Sequence, residues 1–509
     1  MTFFNDSNMQ IQTPDWVKQA IFYQIFPDRF ARTTTQSLTP AMQIPLEAWD
    51  SPPTLQGYKG GDLWGIIENL DHIQNLGCTA IYLNPVFQSA ANHRYHPHDY
   101  YNVDPLLGGN QALKDLLDAA HAKGLKVILD GVFNHASRGF FFFNDILENG
   151  PHSPWLDWFI VNDWPVSAYD GSLPANYESW VDNRSLPKFN HFNPQVKEYI
   201  MRVGEYWLEL GFDGWRLDIP NEVKAPGFWQ EFRSRVKAVN PEAYIVGEIW
   251  EDASQWLDGT QFDGVMNYLF TEAAIAFVVG DKIQTQHTDP APYTIKKSLT
   301  ASEYGDQIQQ LLQLYDWNIQ LTQLNLLDSH DTPRLFNVAG GETGDPATIN
   351  FARQSVELCT LLLMTFPGAP CIYYGDEVGL GGGMDPDCRR GFPDSSKWNQ
   401  TVLQCHQSLI RLRHDYPALR TGSYAMVFCE GMTYGFIRQL EMDGQLQSLL
   451  VIVNAGDTEY QGTHALEQWG QCTAAICRYG KGDFAVEGGQ TQLEIPARQG
   501  LVLELQMSS

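Results

Sequence analysis

The sequence has few basic residues for its size. Lysine and arginine together number 33 against 60 aspartates and glutamates, a formal net charge of −27 at pH 7 over 509 residues. Such a surface repels phosphates and anionic lipid headgroups rather than neutralising them. The composition therefore argues against nucleic acid and membranes as partners and suits a neutral substrate.

Membrane, secretion and disulfide signals are also missing. No stretch of 18 apolar residues occurs, so no membrane-spanning helix is predicted. The first residues, MTFFNDSNMQIQTPDW, contain neither the basic nor the apolar segment of a signal peptide. The eight cysteines are scattered without a CxxC pair, which favours reduced thiols. These absences predict a soluble cytoplasmic protein.

Apolar residues make up 43% of the chain, enough for a large core, and the length predicts two to four domains. Eight apolar or β-rich runs are spaced through the first four-fifths of the sequence, with helix-like segments such as 110–124 and 194–211 between them. The runs are 20–26, 80–87, 126–133, 214–218, 244–250, 262–268, 321–328 and 371–377.

Alternating strands and helices favour a parallel sheet, and eight strands favour a closed (β/α)8 TIM barrel of the α/β class. The structural alternative is a doubly wound open sheet. It would carry a glycine-rich phosphate loop after its first strand, and the run 20–26 is not followed by one. We therefore predict the barrel.

Two stretches depart from this alternation. Residues 136–193 are rich in Phe, Trp, Asn and Pro and predict a small inserted subdomain after the third strand. From residue 421 the chain turns to short alternating segments, which predict a C-terminal antiparallel β-sandwich over 421–509. The barrel then comprises residues 1–135 and 194–420. A polar segment, 280–306, is predicted to be a loop or an irregular helix.

Acidic residues stand at the C-terminal ends of several of the runs, namely Asp130, Asp218, Glu248 and Asp331. In a parallel barrel these ends meet at one mouth, where the active sites of such barrels lie. The chain is therefore predicted to be an enzyme.

Four segments in order, DGVFNH (130–135), GWRLDIPNE (214–222), GEIW (247–250) and LLDSHD (326–331), resemble the α-amylase family of retaining glycoside hydrolases. The resemblance implies that Asp218 is the nucleophile and Glu248 the general acid and base. It also implies that Asp331 is the third carboxylate, which holds the hydroxyl groups of the sugar.

The chemistry of acetal cleavage also requires two carboxyl groups in opposite protonation states. Arg216 lies two residues before Asp218 on the same strand, so it can keep that carboxylate ionised. Apolar neighbours would raise the pKa of Glu248 and suit it to donate a proton. The structural alternative is an Arg216–Asp218 ion pair at the barrel rim without catalytic use.

His135 and His330 match family histidines that bind the sugar at the cleaved bond, and Tyr95 matches the aromatic platform beneath the same ring. A structural role for the histidines and core packing for Tyr95 are the alternatives. Neither histidine has a second His or Cys at a ligand spacing, so a zinc site is not predicted.

LPKFN (186–190) is similar to a segment of the neopullulanase, cyclomaltodextrinase and maltogenic amylase group, and GEIW fits the same group. This resemblance implies α-1,4 glucans as substrates, tolerance of α-1,6 links and cyclodextrins, and Trp250 on the acceptor side of the cleft. Asp385 and Arg389 match positions that contact a donor-side sugar. A surface ion pair between those two is the alternative.

Members of this group commonly carry about a hundred further residues before the barrel, whereas the first run here begins near Ala20. We expect this module to be lacking and the cleft to be more open, which favours long or branched glucans over cyclodextrins. The subunit count is left between monomer and homodimer.

Family members often bind calcium through residues after a PDRF segment together with a GGD turn. The turn is present as residues 60–62, but the residues after PDRF (27–30) are ARTTTQSL, which offer no carboxylate or amide before Gln36. Calcium takes six or more oxygen ligands. We expect this site to be missing or weak, and no cofactor.

The leading hypothesis is a retaining α-glucan hydrolase. A glucanotransferase or transglycosylase uses identical carboxylates and differs in whether water or a sugar reaches the intermediate. A non-catalytic glucan-binding protein is the alternative of a different class. The presence of Asp218, Glu248 and Asp331 argues against that last alternative.

Overall fold

The structure is a computed structural model and describes residues 11–36, 43–288, 295 and 297–507. Eight parallel strands form its central sheet. They are β1 Phe22–Ile25, β2 Ala80–Leu83, β3 Lys126–Gly131, β4 Gly214–Leu217, β5 Tyr244–Gly247, β6 Gly264–Val265, β7 Leu324–Asn325 and β8 Ala369–Tyr373. The strand order is β6-β5-β4-β3-β2-β1-β8-β7. Each of the eight predicted runs overlaps one strand.

A parallel bridge between Met266 and Leu324 joins β6 to β7 and closes the sheet into a barrel. Side-chain amides reinforce this junction. Gln323 accepts a hydrogen bond from the amide of Val265 at 3.1 Å, and Asn267 donates one to Asn325 at 2.8 Å. The predicted barrel is confirmed. Its strands are buried on both faces, which explains why they read as continuous apolar runs.

Helices surround the barrel and link its strands. They are α1 Asp15–Gln19, α2 Pro27–Phe30, α3 Leu63–Glu68, α4 Leu70–Leu76, α5 Gly109–Ala122, α6 Phe141–Asn149, α7 Pro194–Glu209, α8 Phe228–Val239, α9 Tyr268–Val278, α10 Thr285–Thr288, α11 Ala301–Leu314, α12 Trp317–Gln320, α13 Leu335–Val338, α14 Pro346–Thr365, α15 Gln400–Asp415 and α16 Ala418–Thr421. Across the described ranges, no helix combines the length and apolarity needed to cross a membrane.

Helices α5 and α7 coincide with the two segments that the sequence marked as helical. Asn193 caps α7 by accepting a hydrogen bond from the amide of Gln195, and Pro194 fills its first position. Of the polar segment 280–306, residues 289–294 and 296 lie outside the described residues. The remainder contains α10 and the start of α11, where Thr300 and Glu303 form a capping box.

The register of the barrel strands places the acidic residues at one end of the barrel. Asp130 on β3 pairs with Arg216 on β4, and Leu217 on β4 pairs with Gly247 on β5. Asp218 and Glu248 directly follow the paired residues that end β4 and β5, so they lie at the same height at the end of the barrel. The two side chains therefore enter the mouth of the barrel side by side.

Between β3 and α7 the chain forms a small subdomain that contains α6 and isolated antiparallel bridges rather than regular strands. Through the bridges His135↔Lys188 and Ser179↔Pro187, the second half of the subdomain returns to the end of β3. The LPKFN segment consequently borders the mouth of the barrel. The predicted fold class includes a small subdomain inserted after the third strand, and the structure has one there.

The C-terminal part is built from two antiparallel sheets. Its strands are β9 Ser423–Glu430, β10 Thr433–Met442, β11 Gln445–Asn454, β12 Tyr460–Ala465, β13 Cys472–Gly480, β14 Asp483–Glu487, β15 Gln490–Ile495 and β16 Gln499–Met507. The sheets have the orders β13-β16-β11-β10-β9 and β12-β15-β14, with their own apolar core between them. The predicted β-sandwich is confirmed.

Candidate active site

Arg216 is the centre of the cluster at the barrel mouth. It is fully buried, and its Nη1 donates to Asp218 Oδ1 at 2.9 Å and to both oxygens of Asp130 at 3.0 and 3.1 Å. Its Nη2 lies 2.9 Å from Glu248 Oε2. Asp218 and Glu248 therefore converge on one guanidinium group at the barrel mouth.

Asp130 holds Arg216 in this position. Its carboxylate also accepts hydrogen bonds from the hydroxyl groups of Tyr82 and Tyr95, each at 2.8 Å. The side chain is 2% exposed and is separated from solvent by these three donors. Asp130 therefore orients the cluster.

The carboxyl groups of Asp218 and Glu248 are both buried and close to each other. Desolvation by burial raises the pKa of Asp218 well above its usual value, Arg216 opposes that rise, and the Glu248 carboxylate adds to it. Burial likewise raises the pKa of Glu248, again against Arg216. The pKa of both groups is thus raised, and Arg216 favours the ionised form of each. Burial is the main cause for both groups, and the neighbouring carboxylates add to it, Glu248 and Asp130 for Asp218 and Asp331 for Glu248.

Asp331 stands on the other side of the mouth and behaves differently. Burial raises the pKa of its carboxyl, but His330 Nε2 at 2.9 Å and Arg389 Nη2 at 3.1 Å outweigh burial and lower the pKa below its usual value. Arg389 also contacts Asp385 at 2.9 Å and the His330 carbonyl at 2.8 Å. Arg389 and Asp385 thus belong to the site rather than forming a separate surface pair.

Tyr95 and His330 form a stacked pair at the same mouth, with ring centroids 5.3 Å apart and planes within 2°. The Tyr95 hydroxyl lies 2.5 Å from His330 Nε2. On the other side of the ring, Gln24 Nε2 lies 2.9 Å from His330 Nδ1 and donates to Asn84 Oδ1 at 3.1 Å. An amide nitrogen can only donate, so Nδ1 of His330 is the acceptor and its Nε2 carries the hydrogen.

One protein family and several known proteins match this chain over most of its length. The family model for the α-amylase catalytic domain matches residues 24–408. A cyclomaltodextrinase from a Bacillus species is 40% identical over 447 residues, which cover 87% of this chain and 74% of that protein. The chain belongs to the α-amylase family.

Further members of the α-amylase family match over almost the whole chain. Neopullulanase 2 of Thermoactinomyces vulgaris is 40% identical over 499 residues, covering 96% of this chain and 78% of that protein. The crystal structure of a debranching enzyme from Nostoc punctiforme is 57% identical, covers 97% of this chain and 100% of its own, and superposes with a TM-score of 0.88. The chain is thus an α-amylase family glycoside hydrolase.

His135 lies in the same region but is only 1% exposed. Its Nε2 contacts the Tyr95 carbonyl at 3.1 Å, and its ring stacks on Trp180 with centroids 5.4 Å apart. Burial lowers the pKa of His135 to about 3, so the imidazole is neutral. Its contact with a sugar stays a prediction.

Trp250 lies directly beside the proton-donor candidate. Its indole nitrogen donates to Glu248 Oε1 at 3.2 Å, and its ring stacks on Tyr268 with a centroid distance of 3.4 Å. The ring is half-buried at the rim of the mouth. This position is compatible with the predicted acceptor side of the cleft.

The sequence analysis missed four residues of the site, namely Gln24, Tyr82, Asn84 and Trp180. Gln24 is a fully buried amide inside the first apolar run, and Asn84 lies inside the second, directly after β2. A polar residue in or directly after a buried strand is the signal that would have found both. Nothing local marks Tyr82 or Trp180, because their roles depend on contacts with Asp130 and His135.

The residues at the expected calcium position contact one another instead. Asp62 accepts hydrogen bonds from the amides of Gly65 and Thr33 at 2.7 and 3.1 Å. The hydroxyl groups of Thr33, Thr34 and Thr35 donate to Glu68 at 2.7–2.8 Å. Donor hydroxyls aimed at a single carboxylate do not supply the six or more oxygens that calcium requires, so these residues do not fit the ion.

Proposed function

We propose that this enzyme hydrolyses α-glucosidic bonds in glucans with retention of configuration, through a covalent glycosyl ester on Asp218. The observation that carries the proposal is the convergence of Asp218 and Glu248 on Arg216, with Asp331 across the same mouth. A carboxylate pair this close fits direct attack on the sugar better than activation of an intervening water.

The proton shared by the pair resides on Glu248 in the resting enzyme. Asp218 accepts a hydrogen bond from the charged Nη1 of Arg216, whereas the hydrogen bonds that Glu248 accepts come from neutral donors, the Ile219 amide and the Trp250 indole. A charge-assisted hydrogen bond stabilises the ionised form of its acceptor. Asp218 is therefore the anion and Glu248 the acid.

In the first step Asp218 forms a bond to the anomeric carbon while Glu248 gives its proton to the departing glycosidic oxygen. In the second step the Glu248 carboxylate takes a proton from water as the water oxygen bonds to the anomeric carbon, and the bond from that carbon to Asp218 breaks, which frees Asp218 as a carboxylate. The ionised Asp331 is placed to hold sugar hydroxyl groups, and Tyr95 with His330 supplies a flat surface beneath the ring.

For the substrate we propose α-1,4-linked glucans, with α-1,6 links also cleaved. Relatives named cyclomaltodextrinase and neopullulanase, and the 57% identical debranching enzyme, support this range. We further propose a cytoplasmic location, which a relative named intracellular maltogenic amylase supports, and activity without calcium. Free thiols at all eight cysteines, each within the described residues, agree with that location.

The test of the catalytic pair is substitution of each member. We expect Glu248→Gln and Asp218→Asn each to reduce kcat on maltotriose and amylopectin by several orders of magnitude, since the two carboxyl groups act as a unit. The matched control is Glu222→Gln. Glu222 lies close in the chain but pairs with Lys188 at 3.1 Å at the rim, so its kcat should be unchanged. Near-normal turnover in either member of the pair would refute the assignment.

The stereochemical outcome is an independent test. Early ¹H NMR spectra of a maltotriose digest should show the α-anomer of the newly formed reducing end before mutarotation, because two displacements restore the configuration. A β-anomer would show that water attacks directly and that Asp218 forms no ester.

Transglycosylation by the same intermediate is the second candidate, since Trp250 at the acceptor side of Glu248 can also receive a sugar. Products of concentrated maltotriose separate the two. Glucose and maltose indicate hydrolysis, and chains longer than the substrate indicate transfer.

A further inference from the structure

A groove of ≈ 520 Å³ lies on the surface between the inserted subdomain and the start of α7. Four half-buried aromatic side chains line it, Tyr101, Phe142, Trp155 and Tyr199, which we call the aromatic groove. Beside it, Phe141 exposes 65% of its surface. Exposed apolar surface of this kind on a soluble protein commonly marks a binding site.

Trp155, Phe142 and Tyr199 each contact Trp158 and form a cluster, from which the rings continue as a row. From Trp155 to Phe142, Tyr199 and Tyr101, successive ring centroids are 4.0, 6.0 and 5.7 Å apart. Tyr206 continues the row, 5.1 Å beyond Tyr101. A row of rings offers repeated contacts to an extended ligand that repeats one unit along its length.

The base of the row is fixed by buried contacts. Trp158, which also borders the groove, is 4% exposed, packs on Phe142 at 4.4 Å and donates from its indole nitrogen to Gln195. Tyr199 packs on the buried ring of Tyr100 at 6.1 Å. The rings are consequently held in place before a ligand arrives, which lowers the entropy cost of binding.

The charges at the rim favour a neutral ligand. Arg202 pairs with Glu205, and Glu198 pairs with Arg235, so neither contributes an unbalanced charge. Single-stranded nucleic acids also stack on aromatic rows, but they require a positively charged groove, and this chain carries a net charge of −27. Sugars combine apolar C–H faces, which pack on aromatic rings, with hydroxyl groups that hydrogen-bond to Gln195 and to the charged pairs.

The groove lies close to the catalytic centre but is separate from it. The ring of Tyr100 packs against Tyr199 on one side, and its hydroxyl donates to the carbonyls of Val132 and His135 on the other. One buried ring thus lies between the groove and the residues that follow β3.

We propose that the aromatic groove is a second, non-catalytic binding site for a neutral α-glucan chain, which retains long or branched substrates at the enzyme between cleavage events. This inference rests on the proposed function for its choice of ligand. It does not depend on which bond the enzyme cleaves.

The experiment compares Trp155→Ala with wild type on a long and a short substrate. We expect kcat/KM on amylopectin to fall on the order of fivefold, through KM, while kcat/KM on maltotriose is unchanged, because maltotriose is too short to engage both sites. Trp155→Phe should restore most of the loss. The matched control is Trp469→Ala, a half-buried tryptophan of the C-terminal sandwich, which should affect neither substrate.

A binding measurement separates this inference from the proposed function. Gel retardation by amylopectin, measured in the Glu248→Gln background, should weaken when Trp155→Ala is added, whether or not the wild-type enzyme proves to be a hydrolase. Equal losses on both substrates, unchanged retardation, or a change of oligomeric state in sedimentation with unchanged amylopectin affinity would each overturn the groove as a glucan site.

Discussion

At the residue scale, Asp130 determines the order of the active site without touching the reacting atoms. Three donors, from Tyr82, Tyr95 and Arg216, meet on its carboxylate. The Nη1 of Arg216 that contacts Asp130 also contacts Asp218, and its Nη2 faces Glu248. The position of the reactive pair is therefore set by a buried carboxylate that does not itself contact the reacting atoms.

Gln24 is predicted to be a positioning residue for His330. In Gln24→Met the side-chain volume is kept, but His330 Nδ1 and Asn84 Oδ1 both lose a buried donor. An unsatisfied buried group costs about 1–3 kcal/mol, so we expect kcat on maltotriose to fall roughly tenfold. The control is Gln320→Met, a buried amide bonded to the Leu311 carbonyl on the outer layer. It should lower Tm without changing kcat, and a similar kcat loss there would contradict the assignment.

The pKa values of the catalytic pair predict how stability depends on pH. Folding raises the pKa of Asp218 and Glu248, so the folded enzyme keeps a proton that the unfolded chain releases. Stability should therefore decline as pH rises from the ordinary carboxyl range to the raised value, by about 1.4 kcal/mol per pH unit for one proton. Thermal unfolding over pH should show a shallower decline in Glu248→Gln than in wild type or Glu222→Gln. Equal pH dependence of Tm in Glu248→Gln and wild type would show that the folded enzyme holds no extra proton at Glu248.

The site residues divide into those that the sequence can reveal and those that only packing reveals. Carboxylates directly after apolar runs, such as Asp218 and Glu248, are visible because a charge at the end of a buried strand is unusual. The direction of the Asp218 pKa is not visible, because it depends on how much water the fold removes. The stacking of Trp180 on His135 joins residues from two loops whose paths the sequence does not specify.

At the element scale, the barrel strands could be predicted because burial on both faces gives each one a continuous apolar run. The predicted bounds of the strands differ from the observed ones. Strand β8 begins at Ala369, two residues before the predicted run, and β6 and β7 contain only two residues each. The inserted subdomain was visible as a change of composition. Its path was not, since its isolated bridges leave no period in the sequence.

The junction between α14 and the C-terminal sandwich is predicted to depend on Arg438. This fully buried guanidinium on β10 donates to the carbonyls of Thr365, Leu419 and Gly422. Arg438→Met leaves these carbonyls without that donor, so we expect a loss of roughly 2–4 kcal/mol in the free energy of unfolding. Urea unfolding measures it.

Arg478 provides the comparison for this prediction. It pairs with Glu504 on the surface of the same sandwich, and Arg478→Met should cost less than about 1 kcal/mol. Equal losses in the two variants would mean that burial of Arg438 does not stabilise the junction.

At the scale of the whole molecule, the contacts of Asp62 and Glu68 predict stability without calcium. The pKa of Glu68 is lowered to about 2 by the hydrogen bonds from Thr33 and neighbouring threonines, so the carboxylate stays ionised at working pH and holds the loop. A chelator should leave kcat and Tm unchanged. Loss of activity in a chelator that is restored by Ca²⁺, and not by sodium chloride of equal ionic strength, would contradict this prediction.

The closure of the barrel between β6 and β7 gives that junction an unusual sensitivity to substitution. Other neighbouring barrel strands pair over two to four residues, whereas here a single bridge is completed by the carboxamides of Gln323 and Asn267. Met266, the residue of the bridge, also lies 3.4 Å from Nε of Arg216. Replacing either amide would thus loosen the β6–β7 junction beside Arg216. Substitutions that other strand pairs tolerate are therefore constrained at this junction.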